Sequence, residues 1–185
     1  CALSGSDVPV PAPVLFCEDD AVVGTPFYLM ERLEGEVFAD SSMPGLTPEV
    51  RAGCFRAMAT TLAAIHAFDW RKGGLETYGK PANFFERQIG GWTAQWRSLG
   101  ITDNPALDEL VAWLPGQVPP ESGDGGAAAI CHGDYRVANV MFDTGRAAVS
   151  GVFDWELSTI GHPLADVAFN LQPWFLAPDE NGGFK

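Results

Sequence analysis

The hydrophobic pattern has the period of an α-helix through much of the chain. Thr47-Pro48-Glu49 predicts a helix start, with Thr47 as the N-cap. After it, apolar residues recur at helical spacing up to about Ala67: Val50, Cys54, Phe55, Met58, Leu62 and Ile65. A second helix is predicted over about 82–99. Its apolar stripe is of the kind that packs in a core or against another helix: Phe85, Ile89, Trp92, Trp96 and Leu99. Asn104-Pro105 and Pro163 predict two further helix starts.

Short apolar runs with strand character lie on both sides of this helical region. The runs 14–17 and 26–33 predict a hairpin near the start of the chain, with an acidic turn between them. The run 127–131 predicts a buried strand. The runs 140–142 and 147–153 predict a second hairpin that turns at 143–146, whereas 115–126 is predicted to be a surface loop.

A polar loop joins the buried strand to the second hairpin and carries the residues best suited to chemistry. It reads His-Gly-Asp-Tyr-Arg-Val-Ala-Asn over 132–139, and the hairpin is followed by Asp154-Trp155-Glu156. Because a hairpin returns the chain to its starting point, we expect Asp154 to lie beside Asp134 and Asn139. A carboxylate can orient an acceptor hydroxyl and take its proton, and Mg²⁺ prefers oxygen ligands. The pattern therefore predicts phosphoryl transfer.

The spacing H-x-D-x-x-x-x-N, with a later Asp after a hairpin, resembles the aminoglycoside phosphotransferase and choline kinase branch of the protein-kinase-like fold. The resemblance extends to the phosphotransferase domains associated with acyl-CoA dehydrogenases, whose loop also reads His-Gly-Asp-Tyr-Arg. It implies an α+β, two-lobe fold, in which 1–35 is a remnant of the small β lobe and hinge. Residues 36–185 would form the large, mainly helical lobe. The implied activity is transfer of the γ-phosphate of ATP to a hydroxyl of a small molecule.

The resemblance also implies roles for residues of the loop and the hairpin. Asp134 would position and deprotonate the acceptor hydroxyl, and Asn139 and Asp154 would hold Mg²⁺. Glu156 would join the metal shell through water. Arg136 would meet a phosphate or an anionic acceptor, or else be a solvated loop arginine.

Supporting and nucleotide-binding roles follow from the same resemblance. His132 would pack and hydrogen-bond beneath the loop without acting as a base, and Asp166 would accept backbone amides of the loop. Met30 would lie at the back of an adenine pocket. The carbonyl of Glu31 and the amide of Leu33 would bind the adenine edge.

Two features of the resembled fold have no counterpart in the sequence. No Gly-rich loop precedes Gly35, and the first lysine of the chain is Lys72. We therefore expect the chain to begin about midway through the small lobe and to end before the last helices of the family. On its own it is expected to be a poor kinase or none.

Two other readings stay open. One is a non-catalytic, kinase-like binding module or truncated inactive fragment. The other is a metal-dependent phosphoesterase. Such an enzyme would need more histidine ligands than the three in the chain, His66, His132 and His162.

Composition and charge restrict the partners. A net charge of −13, from 24 acidic and 11 basic residues, argues against nucleic acid or an anionic membrane as a partner. The charge suits a cationic acceptor, whereas the resemblance favours a hydroxyacyl one. No apolar run approaches the roughly 18 residues of a membrane span, and the four cysteines form no C-x-x-C pair. We expect a cytoplasmic protein that binds ATP and a small hydroxyl-bearing substrate; the oligomeric state stays open.

Overall fold

The computed structural model describes residues 2–100, 104–119 and 127–177. The α-helices in these ranges are α1 Pro48–Ala67, α2 Phe84–Ser98, α3 Pro105–Trp113 and α4 Leu164–Leu171. The strands are β1 Pro13–Cys17, β2 Phe27–Met30, β3 Glu36–Val37, β4 Ala129–Cys131, β5 Val140–Asp143, β6 Ala148–Val152 and β7 Thr159–Gly161. Part of the predicted loop 115–126 lies outside the described residues.

The starts of α1 and α3 form where the sequence predicts them, because side chains cap free backbone amides of the first turn. The hydroxyl of Thr47 accepts a hydrogen bond from the amide of Val50 at 3.4 Å. The side chain of Asn104 accepts one from the amide of Leu107 at 3.1 Å. Both helices carry a proline in the first turn, where its missing N–H removes no helical hydrogen bond.

The strands form three small antiparallel sheets. β1 pairs with β2, and β5 and β6 form the predicted second hairpin, with β3 on the other side of β5. β4, which leads into the polar loop, pairs with β7. The pairing of β4 with β7 brings the chain before the polar loop next to the chain that follows Glu156.

The hydrophobic core lies between α1 and these strands. The predicted apolar face of α1 is buried there, including Met58 and Ile65 at 1% and 0% exposure. Tyr135, from the polar loop, is fully buried in the same core, and its hydroxyl donates to the carbonyl oxygen of Met58 at 2.8 Å. The loop is thus anchored from below by an aromatic side chain.

The prediction of a packed stripe along α2 was wrong for two of its members. Trp92 and Leu99 are 64% and 63% exposed. The helix is instead attached by its first turn, where Phe84 is buried against Gly161 and the ring of Phe85 packs on His162 with centroids 5.0 Å apart. Periodicity shows which face of a helix is apolar, but it does not show whether another element covers that face.

The β1–β2 hairpin exposes several large apolar side chains. Val14, Phe16 and Tyr28 keep 69%, 63% and 65% of their surface exposed. No helix within the described ranges has the length and hydrophobicity needed to cross a membrane.

Candidate active site

A buried carboxylate holds the start of the polar loop. Asp166, in the first turn of α4, is 1% exposed, and its two oxygens accept hydrogen bonds from the amides of His132 at 2.7 Å and Gly133 at 2.9 Å. The Nε2–H of His66, near the end of α1, donates to the same carboxylate at 3.1 Å. These donors compensate the burial of the charge and connect two helices to the loop.

Gly133 adopts a backbone conformation that would be strained for a residue with a side chain. Its φ is +85°, a conformation that side chains disfavour. An added Cβ would lie 2.5 Å from the carbonyl oxygen of Leu157. The loop therefore lies directly against the chain that follows the second hairpin.

His132 lies fully buried beneath the loop, with both ring nitrogens engaged. Its Nε2 is 2.8 Å from the carbonyl oxygen of Phe153, which can only accept, and its Nδ1 accepts from the amide of Asp134 at 3.3 Å. These partners assign the neutral Nε2–H tautomer. Desolvation by burial lowers the pKa of His132, which also favours the neutral ring. His132 thus has no nitrogen left to take a proton from a substrate.

Asp134 and Asn139 are in direct contact. The amide nitrogen of Asn139 donates to the carboxylate of Asp134 at 2.7 Å and to its backbone carbonyl oxygen at 2.9 Å. Since both partners are acceptors, they fix the orientation of the amide. The two protons of the nitrogen are used, which leaves the amide oxygen of Asn139 for another ligand.

Arg136 pairs with the same carboxylate from the solvent side. Its Nε lies 3.1 and 3.2 Å from the two oxygens of Asp134. The arginine side chain is 51% exposed and that of Asp134 is 20% exposed. The pair therefore lies at the solvent-facing side of the site, where half of the arginine side chain remains exposed.

Phe153 brings the end of the hairpin to the loop. Its N–H donates to the carbonyl oxygen of Asn139 at 2.9 Å, while its own carbonyl oxygen accepts from His132. Asp154 follows at once, in the left-handed region at φ 63° and ψ 58°, with an exposed side chain. In the described part of the chain, the carboxylate of Asp154 shares no hydrogen bond with Asp134 or Asn139. The three predicted residues are neighbours, and two of them touch.

A cavity of about 950 Å³ lies between the β1–β2 hairpin and the segment after β6. Asp154 and Glu156 line it on one side, and Met30 lines it from β2. Asp134 and Asn139 are not among its lining residues. The cavity thus adjoins the predicted metal ligand Asp154, while the predicted base lies outside the lining.

The other two residues predicted to bind adenine are placed differently from Met30. Neither Glu31 nor Leu33 lines the cavity. The amide of Glu31 continues the hairpin by donating to the carbonyl oxygen of Ala12 at 2.8 Å. The side chain of Leu33 occupies the space beside Gly151 of β6.

Two residues that the sequence analysis did not select also line the cavity. The hydroxyl of Tyr78 lies 2.6 Å from that of Ser158. No sequence signal could have found this pair, because its members are 80 positions apart and neither belongs to a motif. Within the described ranges, no three His, Cys, Asp or Glu side chains are grouped so that they could hold a metal ion.

Residues 2–182 match the sequence pattern described as the phosphotransferase enzyme family. Acyl-CoA dehydrogenase family member 11 of Gallus gallus is 42% identical, a match that covers 94% of this chain and 22% of that protein. Family member 10 of Mus musculus is 39% identical, over 95% of this chain and 16% of that protein. The chain thus spans only about a fifth of the length of these curated relatives.

Solved structures share the fold. A Ralstonia eutropha JMP134 protein, provisionally described as an aminoglycoside phosphotransferase, is 43% identical, with a TM-score of 0.90 over 98% of this chain and 55% of that one. The aminoglycoside phosphotransferase APH(4)-Ia, solved with ADP and hygromycin B, has a TM-score of 0.64 at 17% identity, over 94% of this chain and 58% of that one. The chain therefore has the protein-kinase-like α+β fold.

Proposed function

The chain belongs to the phosphotransferase enzyme family, and from this premise we propose that it transfers the γ-phosphate of ATP to a hydroxyl group of a small molecule. The observation that carries the proposal is the contact of Asp134 with Asn139, together with the backbone bond from Phe153, the residue before Asp154, to Asn139. This arrangement combines a carboxylate that could take the proton of an alcohol with two further oxygen donors that could bind Mg²⁺. Phosphoryl transfer needs both the proton acceptor and the metal ligands.

Asp134 is the residue that would meet the acceptor. Its carboxylate is held by Asn139 and Arg136, yet it remains 20% exposed. It would accept the proton of the acceptor hydroxyl while the oxygen attacks the γ-phosphorus and ADP departs. His132 cannot replace it, because both of its ring nitrogens are bonded.

Asn139 and Asp154 are the residues that would hold Mg²⁺. Mg²⁺ in nucleotide sites is typically bound by one or two carboxylates together with substrate phosphates and water, so a cluster of three acidic residues is not required. The free amide oxygen of Asn139 and the exposed carboxylate of Asp154 fit this donor set. The bound ion would neutralise charge on the phosphates. Glu156 would act through water, and Arg136 would meet the transferred phosphate.

ATP would enter through the cavity beside the β1–β2 hairpin. Met30 and the proposed metal ligand Asp154 both line it, and the APH(4)-Ia neighbour was solved with ADP. The backbone of Glu31 and Leu33 would bind the adenine edge. β3 begins at Glu36 and pairs with β5, which supports a division between a small lobe over 1–35 and a large lobe over 36–185.

Three other observations support the proposed compartment and the choice of an active kinase over the alternatives. Cys17, Cys54 and Cys131 are free thiols, which supports a reducing compartment such as the cytoplasm. The contacts of Asp166 with the loop amides keep the site formed, which favours an active enzyme over a non-catalytic binding module. Within the described ranges, the chain has no group of three His, Cys, Asp or Glu side chains of the kind that a two-metal phosphoesterase needs.

The experiment compares two alanine variants of the intact protein. ATP binding is measured by calorimetry with and without Mg²⁺, and ADP release is measured with a panel of hydroxyl compounds. Asp134→Ala should lower transfer by at least about 100-fold and leave ATP binding within about twofold. Asp154→Ala should instead remove the Mg²⁺-dependent part of nucleotide binding.

Asp143→Ala is the matched control, because Asp143 ends β5 in the same hairpin but lies at its far turn, paired with Arg146. It should leave both measurements unchanged. Transfer at the parent rate by Asp134→Ala would show that the base is assigned wrongly. Absence of nucleotide binding by the unaltered protein would overturn the proposal itself.

A further inference from the structure

The segment that begins at Asp154 is held from two sides. On one side, the N–H of Phe153 donates to the carbonyl oxygen of Asn139 in the polar loop at 2.9 Å. On the other side, the hydroxyl of Tyr78 lies 2.6 Å from that of Ser158. We propose that Tyr78, acting through Ser158, is a positioning residue that aims Asp154 at the metal. The inference rests on the proposed function, which makes Asp154 a metal ligand.

The hydrogen bonds run in one direction, from the phenol to the residue after Asp154. The hydroxyl of Ser158 is bonded to the carbonyl oxygen of Trp155, which can only accept, so the serine donates in that bond. Tyr78 must therefore donate its proton to Ser158. The amide of Ser158 donates to the same carbonyl oxygen at 3.0 Å. These bonds fix the backbone that lies between the carboxylates of Asp154 and Glu156.

Asp154 has a backbone conformation that needs such support. It lies in the left-handed region, at φ 63° and ψ 58°, which costs free energy for a residue with a Cβ. Residues in this region persist only where the surrounding structure determines them. The side chain of Asp154 is exposed. The direction of its carboxylate therefore depends on how the backbone is held on either side.

The phenol is carried on a segment fixed to the core. The amide of Tyr78 donates to the carbonyl oxygen of Leu75, and the amide of Leu75 donates to that of the buried Trp70, both at 3.0 Å. The next residue, Gly79, lies against β7, since an added Cβ there would be 2.5 Å from the backbone nitrogen of Ile160. A group mounted in this way can restrain the turn that it contacts.

Tyr78 acts on the metal ligand through the backbone and not by contact. Its hydroxyl proton and that of Ser158 are used in the bonds described above, although both residues line the same cavity as Asp154. Removal of a group that orients a metal ligand typically lowers metal affinity by about 10- to 100-fold. Because the phenol is separated from Asp154 by two further residues, we expect a smaller effect, about three- to tenfold.

The test measures ATP binding to the intact protein by calorimetry over a Mg²⁺ titration. Tyr78→Phe and Ser158→Ala should each raise the Mg²⁺ concentration at half-saturation about three- to tenfold and leave ATP binding without Mg²⁺ within about twofold. The double variant should match the weaker single variant, because both changes interrupt one chain of bonds. In the protein without ligands, Tyr78→Phe should also speed hydrogen exchange at the amide of Ser158.

Ser98→Ala is the matched control for the serine. The hydroxyl of Ser98 also bonds a carbonyl oxygen three positions earlier, that of Gln95 at 2.6 Å, but at the end of α2. No proposed metal ligand adjoins that carbonyl group. The control should therefore leave the Mg²⁺ dependence of ATP binding unchanged.

The outcomes are distinguishable. An unchanged Mg²⁺ dependence in Tyr78→Phe, or effects of the two single variants that add in the double variant, would overturn the inference. Equal losses of ATP binding with and without Mg²⁺, together with a lowered Tm, would show general loosening and would also overturn it. If the unaltered protein showed no Mg²⁺-dependent ATP binding, the proposed function itself would fail, and the role of Tyr78 would fall with it.

Discussion

The side-chain nitrogen of Asn139 is bonded twice to Asp134, at 2.7 Å to its carboxylate and at 2.9 Å to its backbone carbonyl oxygen. One residue thus fixes both the side chain and the backbone of the proposed base. Because the same bonds use the amide nitrogen of Asn139, they leave its amide oxygen for the proposed metal. The position of the base and the position of the metal ligand are therefore set by one contact.

Replacement of Asn139 tests this double role. Asn139→Ala removes a proposed metal ligand and frees Asp134, so phosphate transfer should fall by at least about 100-fold. The measurement is steady-state kinetics over a Mg²⁺ titration. Asn170→Ala is the matched control, because the Asn170 amide also bonds a loop carbonyl, that of Tyr135 at 3.3 Å, but is not a proposed metal ligand. Equal rates for the two variants would contradict the assignment of Asn139.

Replacement of Asp166 tests how the loop is held. Asp166→Ala leaves the amides of His132 and Gly133 without their acceptor, and the free energy of unfolding should fall by about 3 kcal/mol. Denaturant unfolding measures the loss. Asp108→Asn, on the exposed face of α3, should change stability by less than about 0.5 kcal/mol. A loss no larger than that of the control would mean that the two bonds do not hold the loop.

Replacement of Gly133 separates two causes of strain. Gly133 and Gly74 both have positive φ, at +85° and +72°, but an added Cβ has no neighbour within 4 Å at Gly74. Gly74→Ala should therefore cost about 1 kcal/mol of stability from the backbone alone. Gly133→Ala should cost more, because the methyl group would also meet Leu157, and should lower transfer. Equal losses in thermal unfolding would show that the close approach is unimportant.

Burial of neutral His132 should make stability depend on pH. Desolvation lowers its pKa in the folded state, so between that value and about 6.5 the unfolded chain binds the extra proton. This contribution to stability is fully present above pH 6.5 and is lost as the pH falls through the folded pKa. Denaturant unfolding of the protein and of His132→Asn, from pH 8 to pH 5, measures it. The variant should lack this part of the acid loss, and parallel curves would contradict the prediction.

The helix starts, the two hairpins and the family resemblance were predictable because each depends on residues close together in sequence. Thr47 and Asn104 cap helices through amides three positions away. The order and spacing of Asp134, Asn139 and Asp154 likewise belong to one loop and one hairpin. Short-range hydrogen bonds and side-chain periodicity specify such features locally, so they can be read from neighbouring residues.

The tertiary structure alone decided which distant groups meet. The carboxylate of Asp166 reaches the amide of His132 across 34 positions, and Tyr78 reaches Ser158 across 80. It also left Trp92 on the surface, although the periodicity of α2 favoured burial. These outcomes depend on how whole elements pack, since a local pattern specifies a face or a turn but not the partner that the rest of the fold brings to it.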